Sequence, residues 1–227
     1  MSRPAPPARG RFVTLEGGEG AGKSTQIRRL AEALRPGIPE LVVTREPGGS
    51  PGAEAIRHLL VEGDPDRWDA TTEALLHFAA RRDHLRATVW PALDRGAWVL
   101  SDRFADSTMA YQGYGHGLGR EVVSRLAELT FGDFRPDLTL ILDLPPEAGL
   151  ARADGRGGAR IAAEDRYERM DVGFHRRLRD GFLDIARREP ERCVVIDASR
   201  PADAVAAEVL ATVRSRLLDR ATAGGAA

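Results

Sequence analysis

The chain has 227 residues, of which 42% are hydrophobic and 30% are charged, an ordinary composition for a globular protein. This length is enough for one α/β domain with a sizeable core and does not require two. The formal net charge of −1 provides no general attraction to nucleic acid or to anionic membranes, so we expect neither as a partner. An anionic ligand would have to be held by a local arrangement of charge.

Cysteine usage and hydropathy predict a cytoplasmic protein. The single cysteine, Cys193, cannot form an internal disulfide, and no cysteine–histidine cluster has the spacing of a zinc site. Its apolar surroundings, RCVVID, favour a buried and inert thiol. No apolar run reaches membrane-spanning length, and the first residues lack the apolar core of a signal peptide. We expect flexible tails at 1–10 and 221–227 around a single domain at 11–220.

Five apolar, β-branched segments alternate with helical patterns along the chain. The predicted strands are 11–16, 40–44, 97–102, 137–143 and 193–197. The helical patterns lie near 23–35, 52–62, 71–93, 119–131, 146–153, 165–189 and 202–220. Because the strand segments are apolar throughout rather than alternating, they are typical of parallel strands buried on both faces. The order predicts an α/β fold with a five-stranded parallel sheet flanked by helices.

The only lysine among the 33 basic residues lies in a glycine-rich segment after the first predicted strand. Residues 17–24, GGEGAGKS, fit the pattern G-x-x-x-x-G-K-[ST] between a strand and a helix, which predicts a phosphate-binding loop. Its backbone N–H groups would point at the anion, while Lys23 reaches the β- and γ-phosphates and Ser24 binds Mg²⁺. The broad guanidinium of an arginine would fit this loop poorly. The expected triphosphate-binding residues are Gly17, Gly18, Glu19, Gly20, Ala21, Gly22, Lys23, Ser24 and Thr25.

Several classes of triphosphate enzyme share such a loop. A guanine-specific switch protein usually needs a second lysine in an N/T-K-x-D motif, which this chain lacks. A motor or a nucleic-acid-dependent ATPase remains open, since the segment DLTLILD resembles a metal-binding strand that ends in Asp143. The absence of a basic excess argues against a polynucleotide track.

If the chain is a small kinase, we expect a second phosphate site that faces the loop. TREPGG follows the second predicted strand and places Arg45 at its end, and DRF places Arg103 at the end of the third. Ligands bind at the carboxyl edge of open parallel sheets, so these arginines should meet the phosphate-binding loop in one crevice. Asp102 would orient Mg²⁺ through water while Arg103 holds the transferring phosphates.

Five stretches together carry a family resemblance over nearly the full length of the chain. They are LEGGEGAGKSTQ, TREPGG, DRFADSTMAYQGYG, FGDFRPDLTLILDLPPE and EDRYERMDVGFHRRLRDGF. On these motifs the chain resembles the thymidylate kinase family of P-loop nucleoside monophosphate kinases. The resemblance implies a homodimer that phosphorylates dTMP to dTDP with Mg·ATP, for dTTP and DNA precursor synthesis. A kinase for another nucleoside monophosphate, and an ATPase module without a small-molecule acceptor, remain the alternatives.

The resemblance also implies roles at the acceptor site. Glu19 would face the bound monophosphate nucleotide and its sugar hydroxyl, and Arg57 would bind the dTMP phosphate with support from Arg45. Arg81 would donate to a thymine carbonyl. The remaining expected contacts are Ser107, Thr108 and Gln112 at the base and Tyr111 beside the 2′ position.

The base-stacking residue departs from the family pattern. The family usually has a phenylalanine four residues before the thymine-reading arginine, whereas this chain has His77 there and Phe78 next to it. Residues i and i+4 share one helix face, so His77 and Arg81 can address one ligand. Phe78 is offset by about 100° around the helix and is expected to point towards the core. We therefore favour a neutral His77 as the stacking residue and keep Phe78 as the alternative.

A glycine- and arginine-rich segment at 152–166 interrupts the alternation of strands and helices. Its composition fits a solvated surface loop or a mobile lid that closes over phosphates. The phosphate-binding loop contains no second cation, so the resemblance favours a lid that supplies the catalytic arginine. Arg156 and Arg160 lie in its middle, flanked by Arg152 and Arg166. The residues expected to act in catalysis are Glu19, Lys23, Asp102, Arg103, Arg156 and Arg160.

Overall fold

The computed structural model describes residues 9–64, 66–154 and 166–219. Its centre is a five-stranded sheet in the order β2-β3-β1-β4-β5, in which every neighbouring pair is parallel. The strands are β1 (Phe12–Glu16), β2 (Leu41–Arg45), β3 (Trp98–Asp102), β4 (Leu138–Asp143) and β5 (Cys193–Asp197). The predicted α/β fold and its five strands are therefore confirmed, with ends that differ by at most one residue.

Burial differs between the centre and the edges of this sheet. The interior strands β1, β3 and β4 are buried on both faces, apart from the last residue of β3 and of β4. The edge strands are not, because Val43 of β2 is 43% exposed and Val195 of β5 is 40% exposed. Burial on both faces was thus predicted correctly for the interior strands and wrongly for the two edge strands.

Helices cover both faces of the sheet. They are α1 (Lys23–Leu34), α2 (Pro51–Val61), α3 (Ala70–His84), α4 (Trp90–Asp94), α5 (Ala105–Thr108), α6 (Arg120–Phe131), α7 (Pro146–Asp154), α8 (Val172–Arg188) and α9 (Ala202–Val213). A π-helical turn, Leu85–Val89, joins α3 to α4, so the predicted helix at 71–93 continues through both. Within the described residues, no helix has the length and hydropathy needed to cross a membrane.

Two helical regions differ from their predicted limits. Helix α8 begins at Val172 because the carboxylate of Asp171 caps it and accepts a hydrogen bond from the Phe174 N–H at 2.9 Å. The segment from α5 through the π-helical stretch Met109–Gly115 was not predicted as helical. Its residues, ADSTMAYQGYG, include few strong helix formers, so packing rather than propensity stabilises it.

Two apolar layers hold the sheet between the helices. On one face, α1 and α9 pack against β1 and β4 through residues such as Ile27, Leu140 and Val209. On the other face, the aromatic rings of Phe12 and Phe104 meet edge to face at 5.1 Å. Both layers leave the carboxyl edge of the sheet open, and the polar residues at the strand ends lie there.

Candidate active site

The phosphate-binding loop connects β1 to α1 at this edge. Gly22 caps α1 in the left-handed region, with a φ of 89°, a conformation that glycine adopts without strain. Lys23 is 8% exposed, and its ammonium donates hydrogen bonds to the carbonyl oxygens of Gly17 at 3.0 Å and Gly18 at 2.8 Å. Burial and the nearby charge of Arg103 lower the pKa of Lys23 to about 8. The cation is thus held over the loop with carbonyl partners that phosphate oxygens can replace.

Helix α7 approaches the loop backbone to backbone. A Cβ added to Gly20 would lie 2.0 Å from the carbonyl oxygen of Gly149, and one added to Gly149 would lie 2.4 Å from that of Glu19. Only glycine at both positions permits this approach. The first turn of α7 therefore supports the loop and fixes its position on the sheet.

Arg103 connects the loop to the segment that follows β3. It lies in the left-handed region with a φ of 72°, a strained backbone for a residue with a side chain. One of its terminal nitrogens donates to Gly17 O and to Ser107 Oγ, both at 3.1 Å. The other donates to Glu19 Oε1 at 3.0 Å and to the Tyr111 hydroxyl at 2.9 Å. The strained turn thus aims the guanidinium across the site.

Glu19 is an ionised carboxylate inside the crevice. The Tyr111 hydroxyl donates at 2.5 Å to its Oε1, the same oxygen that Arg103 contacts. Burial alone would raise its pKa, but the charges of Arg103 and Lys23 and the hydrogen bond from Tyr111 lower the pKa of Glu19 to about 2. The carboxylate can therefore accept hydrogen bonds from a ligand at neutral pH.

Oxygen donors for a cation lie beside the loop. The Ser24 hydroxyl donates to Asp102 Oδ2 at 2.9 Å, which brings a hydroxyl and a carboxylate together. In the described part of the chain, no group of three histidine, cysteine or acidic residues forms a metal site by itself. This donor set fits Mg²⁺, which prefers oxygen ligands and usually shares them with phosphates and water. Asp143, the other strand-end carboxylate, is paired with Arg179 at 2.7 Å.

Two cavities meet at this edge of the sheet. A polar cavity of about 140 Å³ lies over the loop, and Lys23, Ser24, Arg45 and Asp102 contribute to its wall. A second cavity of about 110 Å³ lies beside it, between α2, α3 and the 105–115 segment. Nine of the residues predicted to bind dTMP line this second cavity: Glu19, Arg57, His77, Arg81, Arg103, Ser107, Thr108, Tyr111 and Gln112. The structure thus brings together residues from distant parts of the chain.

The two other predicted acceptor residues lie elsewhere. Arg45 lines the polar cavity and pairs with Glu54 at 3.0 Å, next to Arg57 rather than within the second cavity. Phe78 is 4% exposed and packs in the core against Phe131, with ring centroids 6.2 Å apart. The helix rotation between neighbouring residues explains why Phe78 points inwards while His77 faces the cavity.

His77 is a neutral side chain in the cavity wall. Its Nε2 lies 3.0 Å from the hydroxyl of Tyr167, a cavity residue just before α8. Burial and the positive charge of Arg81 lower the pKa of His77 to about 4, against the opposing charge of Glu73. The imidazole is therefore uncharged at neutral pH and can lie flat against an aromatic ligand.

Arg81 is held rigidly at the end of the same cavity. It is 2% exposed and donates to Glu46 Oε2 at 2.7 Å, to Thr108 Oγ1 at 3.1 Å and to Phe104 O at 2.9 Å. Burial favours the neutral form of Glu46, yet the Arg81 charge and a hydrogen bond from His84 lower the pKa of that carboxyl. The guanidinium has five N–H groups, so donors remain for a ligand carbonyl after these contacts.

Sequence reasoning missed Glu16, Glu46 and Tyr167. Glu46 stands inside TREPGG and Tyr167 inside EDRYER, so both motifs contained the signal, but only the fold shows what they touch. Glu16 ends β1, is 0% exposed, and accepts hydrogen bonds from the Phe104 N–H at 2.7 Å and the Ser107 hydroxyl at 2.5 Å. Burial and the charge of Asp106 raise the pKa of Glu16 well above its ordinary value.

The predicted catalytic arginines Arg156 and Arg160 lie outside the described residues. The flanking arginines of the same segment are described and contact the body of the protein. Arg152 donates to Ala198 O at 2.9 Å. Arg166 is 0% exposed, donates to Leu60 O at 3.2 Å and pairs with Glu73. The lid therefore stays a prediction that concerns Arg156 and Arg160.

The site combines a phosphate-binding loop, a second cavity for an acceptor and an arginine between them. This arrangement defines a P-loop phosphotransferase that acts on a nucleotide.

The family model described as thymidylate kinase matches residues 15–209. A thymidylate kinase of Caulobacter vibrioides is 58% identical over 208 residues, which cover 92% of this chain and 98% of that protein. One of a Bradyrhizobium species is 54% identical over 211 residues, 93% of this chain and 92% of that one. The crystal structure of thymidylate kinase from Ehrlichia chaffeensis is 36% identical, with a TM-score of 0.73 over 91% of this chain and 99% of the other. The chain belongs to the thymidylate kinase family.

Proposed function

We propose that the chain transfers the γ-phosphoryl group of ATP to dTMP and so forms dTDP and ADP, as a step in dTTP synthesis for DNA. One observation carries this proposal beside the family membership. The polar cavity over the loop and the second cavity share four wall residues, Glu19, Glu46, Arg57 and Arg103. A triphosphate in the first cavity and a monophosphate in the second would therefore meet at Arg103.

The chemistry follows from charge and position. A phosphate oxygen of dTMP is already ionised at neutral pH, so the acceptor needs little help from a general base. Lys23 and Arg103 would neutralise the charge that develops on the moving phosphoryl group, and Arg57 would hold the acceptor phosphate. Ser24 and Asp102 would hold Mg²⁺, which supplies charge neutralisation at the β- and γ-oxygens when it is bound. Arg156 and Arg160 remain candidates for further cations.

The base would lie at the far end of the second cavity. Arg81 would donate to a carbonyl of thymine, with Ser107, Thr108 and Gln112 along its edge and His77 against its face. Tyr111 is hydrogen-bonded to both Glu19 and Arg103, which holds its ring in place. Its ring would take up the space that a ribose 2′-hydroxyl needs. Glu19 would accept a hydrogen bond from the sugar hydroxyl.

A homodimer is the expected assembly, and the cytoplasm is the expected compartment. Helices α2, α3 and α6 pack side by side and expose Leu59, Leu75, Val122 and Leu129, of which Leu129 is 85% exposed. Exposed apolar side chains on three neighbouring helices favour burial against a second copy. Light scattering that gives the mass of one chain at micromolar concentration would contradict the dimer.

One assay tests the proposed function against its alternatives. ADP release from Mg·ATP is measured with dTMP, dUMP, dCMP, dGMP, UMP or no acceptor. We expect the highest kcat/KM with dTMP and little release without an acceptor. Turnover that does not depend on an acceptor would favour an ATPase, and a higher kcat/KM with another monophosphate would favour a different kinase.

A further inference from the structure

Among the residues that the structure describes, an acceptor atom in the wall of the second cavity has no hydrogen-bond partner. Gln112 is 0% exposed, lines the cavity, and donates from Nε2 to Glu73 Oε1 at 2.6 Å. Its amide oxygen is buried and accepts no hydrogen bond from the residues that the structure describes. A buried acceptor without a partner is unfavourable, so its presence in a cavity wall points to a ligand that donates a hydrogen bond.

The orientation of this amide is set by its neighbour. The two ends of a glutamine amide have nearly the same size, and only their hydrogen-bond partners decide which end points where. Glu73 is 0% exposed and pairs with the buried Arg166, while His116 Nε2 lies 3.3 Å from its Oε1. Burial opposes ionisation, but His116 and Arg166 lower the pKa of Glu73 to about 2. A carboxylate only accepts, so the NH₂ group of Gln112 must face it and the oxygen must face away.

We propose that Glu73 is a positioning residue that determines base selectivity by fixing the Gln112 amide with its oxygen towards the base. This inference rests on the proposed function, with the base of the acceptor in the second cavity. A fixed acceptor favours a pyrimidine whose ring N3 carries a hydrogen, as in thymine and uracil. Cytosine has a lone pair at N3, which would face the lone pairs of the Gln112 oxygen. Glu73 thus selects the N3–H edge without touching the nucleotide.

The test uses Glu73→Gln and three acceptors. A glutamine of the same length can present either its oxygen or its NH₂ group to Gln112, so the Gln112 amide is free to rotate. We expect the ratio of kcat/KM for dTMP to that for dCMP to fall about fivefold to tenfold, the worth of one hydrogen bond. The dTMP-to-dUMP ratio should stay unchanged, because both bases carry N3–H. A loss of structure alone would not lower the dTMP-to-dCMP ratio while leaving the dTMP-to-dUMP ratio unchanged.

A matched control perturbs the same cluster without reaching Gln112. His116→Gln removes another neighbour of Glu73 and should leave both ratios as in the wild type. If Glu73→Gln does not fold because Arg166 loses its partner, Gln112→Leu replaces it as the test. That variant removes the oxygen itself and should lower the dTMP-to-dCMP ratio by a similar factor.

The outcomes separate this inference from the proposed function. A wild-type protein that does not prefer dTMP would contradict the proposed function itself. A wild type that prefers dTMP, together with Glu73→Gln or Gln112→Leu that keeps the dTMP-to-dCMP ratio, would overturn only the role of Glu73. An equal fall of the dTMP-to-dCMP ratio in His116→Gln would also overturn it, since that variant keeps the pairing of Glu73 with Arg166 and the hydrogen bond from Gln112 to Glu73.

Discussion

Lys23 occupies a position where charge and shape must both fit. Its ammonium is held between two carbonyl oxygens of the loop, so the wild-type geometry depends on a compact cation. We expect Lys23→Ala to lower kcat about 10³-fold or more while thermal unfolding shows an intact fold. Lys23→Arg keeps the charge, but its planar fork should not restore the rate. Near wild-type turnover of dTMP by the alanine variant would contradict the role of the loop.

The base-stacking position can be tested with His77 and Phe78. The His77→Phe variant should keep or tighten dTMP binding, because a phenyl ring offers more apolar area than a neutral imidazole. His77→Ala should weaken binding by about 1 kcal/mol or more, as for bases stacked on aromatic side chains. Phe78→Ala should mainly lower the melting temperature, since its ring lies in the core. A silent His77→Ala with lost dTMP affinity in Phe78→Ala would assign the role to Phe78.

At the scale of single residues, functional side chains that belong to sequence motifs could be predicted. Side chains whose role depends on tertiary contacts could not. Lys23, Arg103 and Gln112 were found because local patterns or a family resemblance mark them. The role of Glu73 could not be read, because its partners Gln112 and Arg166 lie 39 and 93 residues away along the chain. Only the fold brings these groups together.

At the scale of elements, helix α7 is the neighbour that confines the phosphate-binding loop. Gly149→Ala would place a methyl group against the Glu19 carbonyl oxygen, so either the loop or the helix must shift. We expect weaker ATP binding by about 1–3 kcal/mol, measured by calorimetry without dTMP. Ala148→Gly is the matched control, since it affects an exposed position of the same helix and should cost only stability. Equal ATP affinity in both variants and the wild type would contradict the coupling.

Secondary-structure elements with a clear hydrophobic pattern were predicted, whereas the helical segment that tertiary packing stabilises was not. The strands were found because apolar β-branched runs are typical of a buried parallel sheet. The helical segment at 105–115, which carries Ser107, Tyr111 and Gln112, was missed because its residues have low helix propensity. It packs against α8, and that long-range contact is what its sequence alone does not show.

At the scale of the whole molecule, buried ionisable groups make stability depend on pH. Glu19 and Glu73 have pKa values lowered to about 2, so the stability that they contribute above the ordinary value of 4.5 is lost as pH falls towards 2. The pKa of His77 is lowered from 6.5 to about 4, so the unfolded chain gains its proton first and stability falls between those values. Glu16 acts in the opposite direction, since its raised pKa favours the folded state as pH falls towards 4.5.

We therefore expect the free energy of unfolding to decrease between pH 6.5 and pH 4 less steeply in His77→Phe than in the wild type. Urea unfolding at several pH values measures this difference. Parallel curves for the two proteins over that range would show that His77 protonates equally in the folded and the unfolded chain.

Only one side chain of this protein carries a primary amine. Lys23 is the only lysine, and its pKa of about 8 leaves about a tenth of it as the nucleophilic free amine at neutral pH. An acylating reagent would therefore modify one lysine, and that lysine lies in the wall of the cavity over the loop. The mass increase of the peptide that contains it would report the fraction of molecules whose triphosphate site is empty. ATP should protect the peptide, and dTMP alone should leave it open to the reagent.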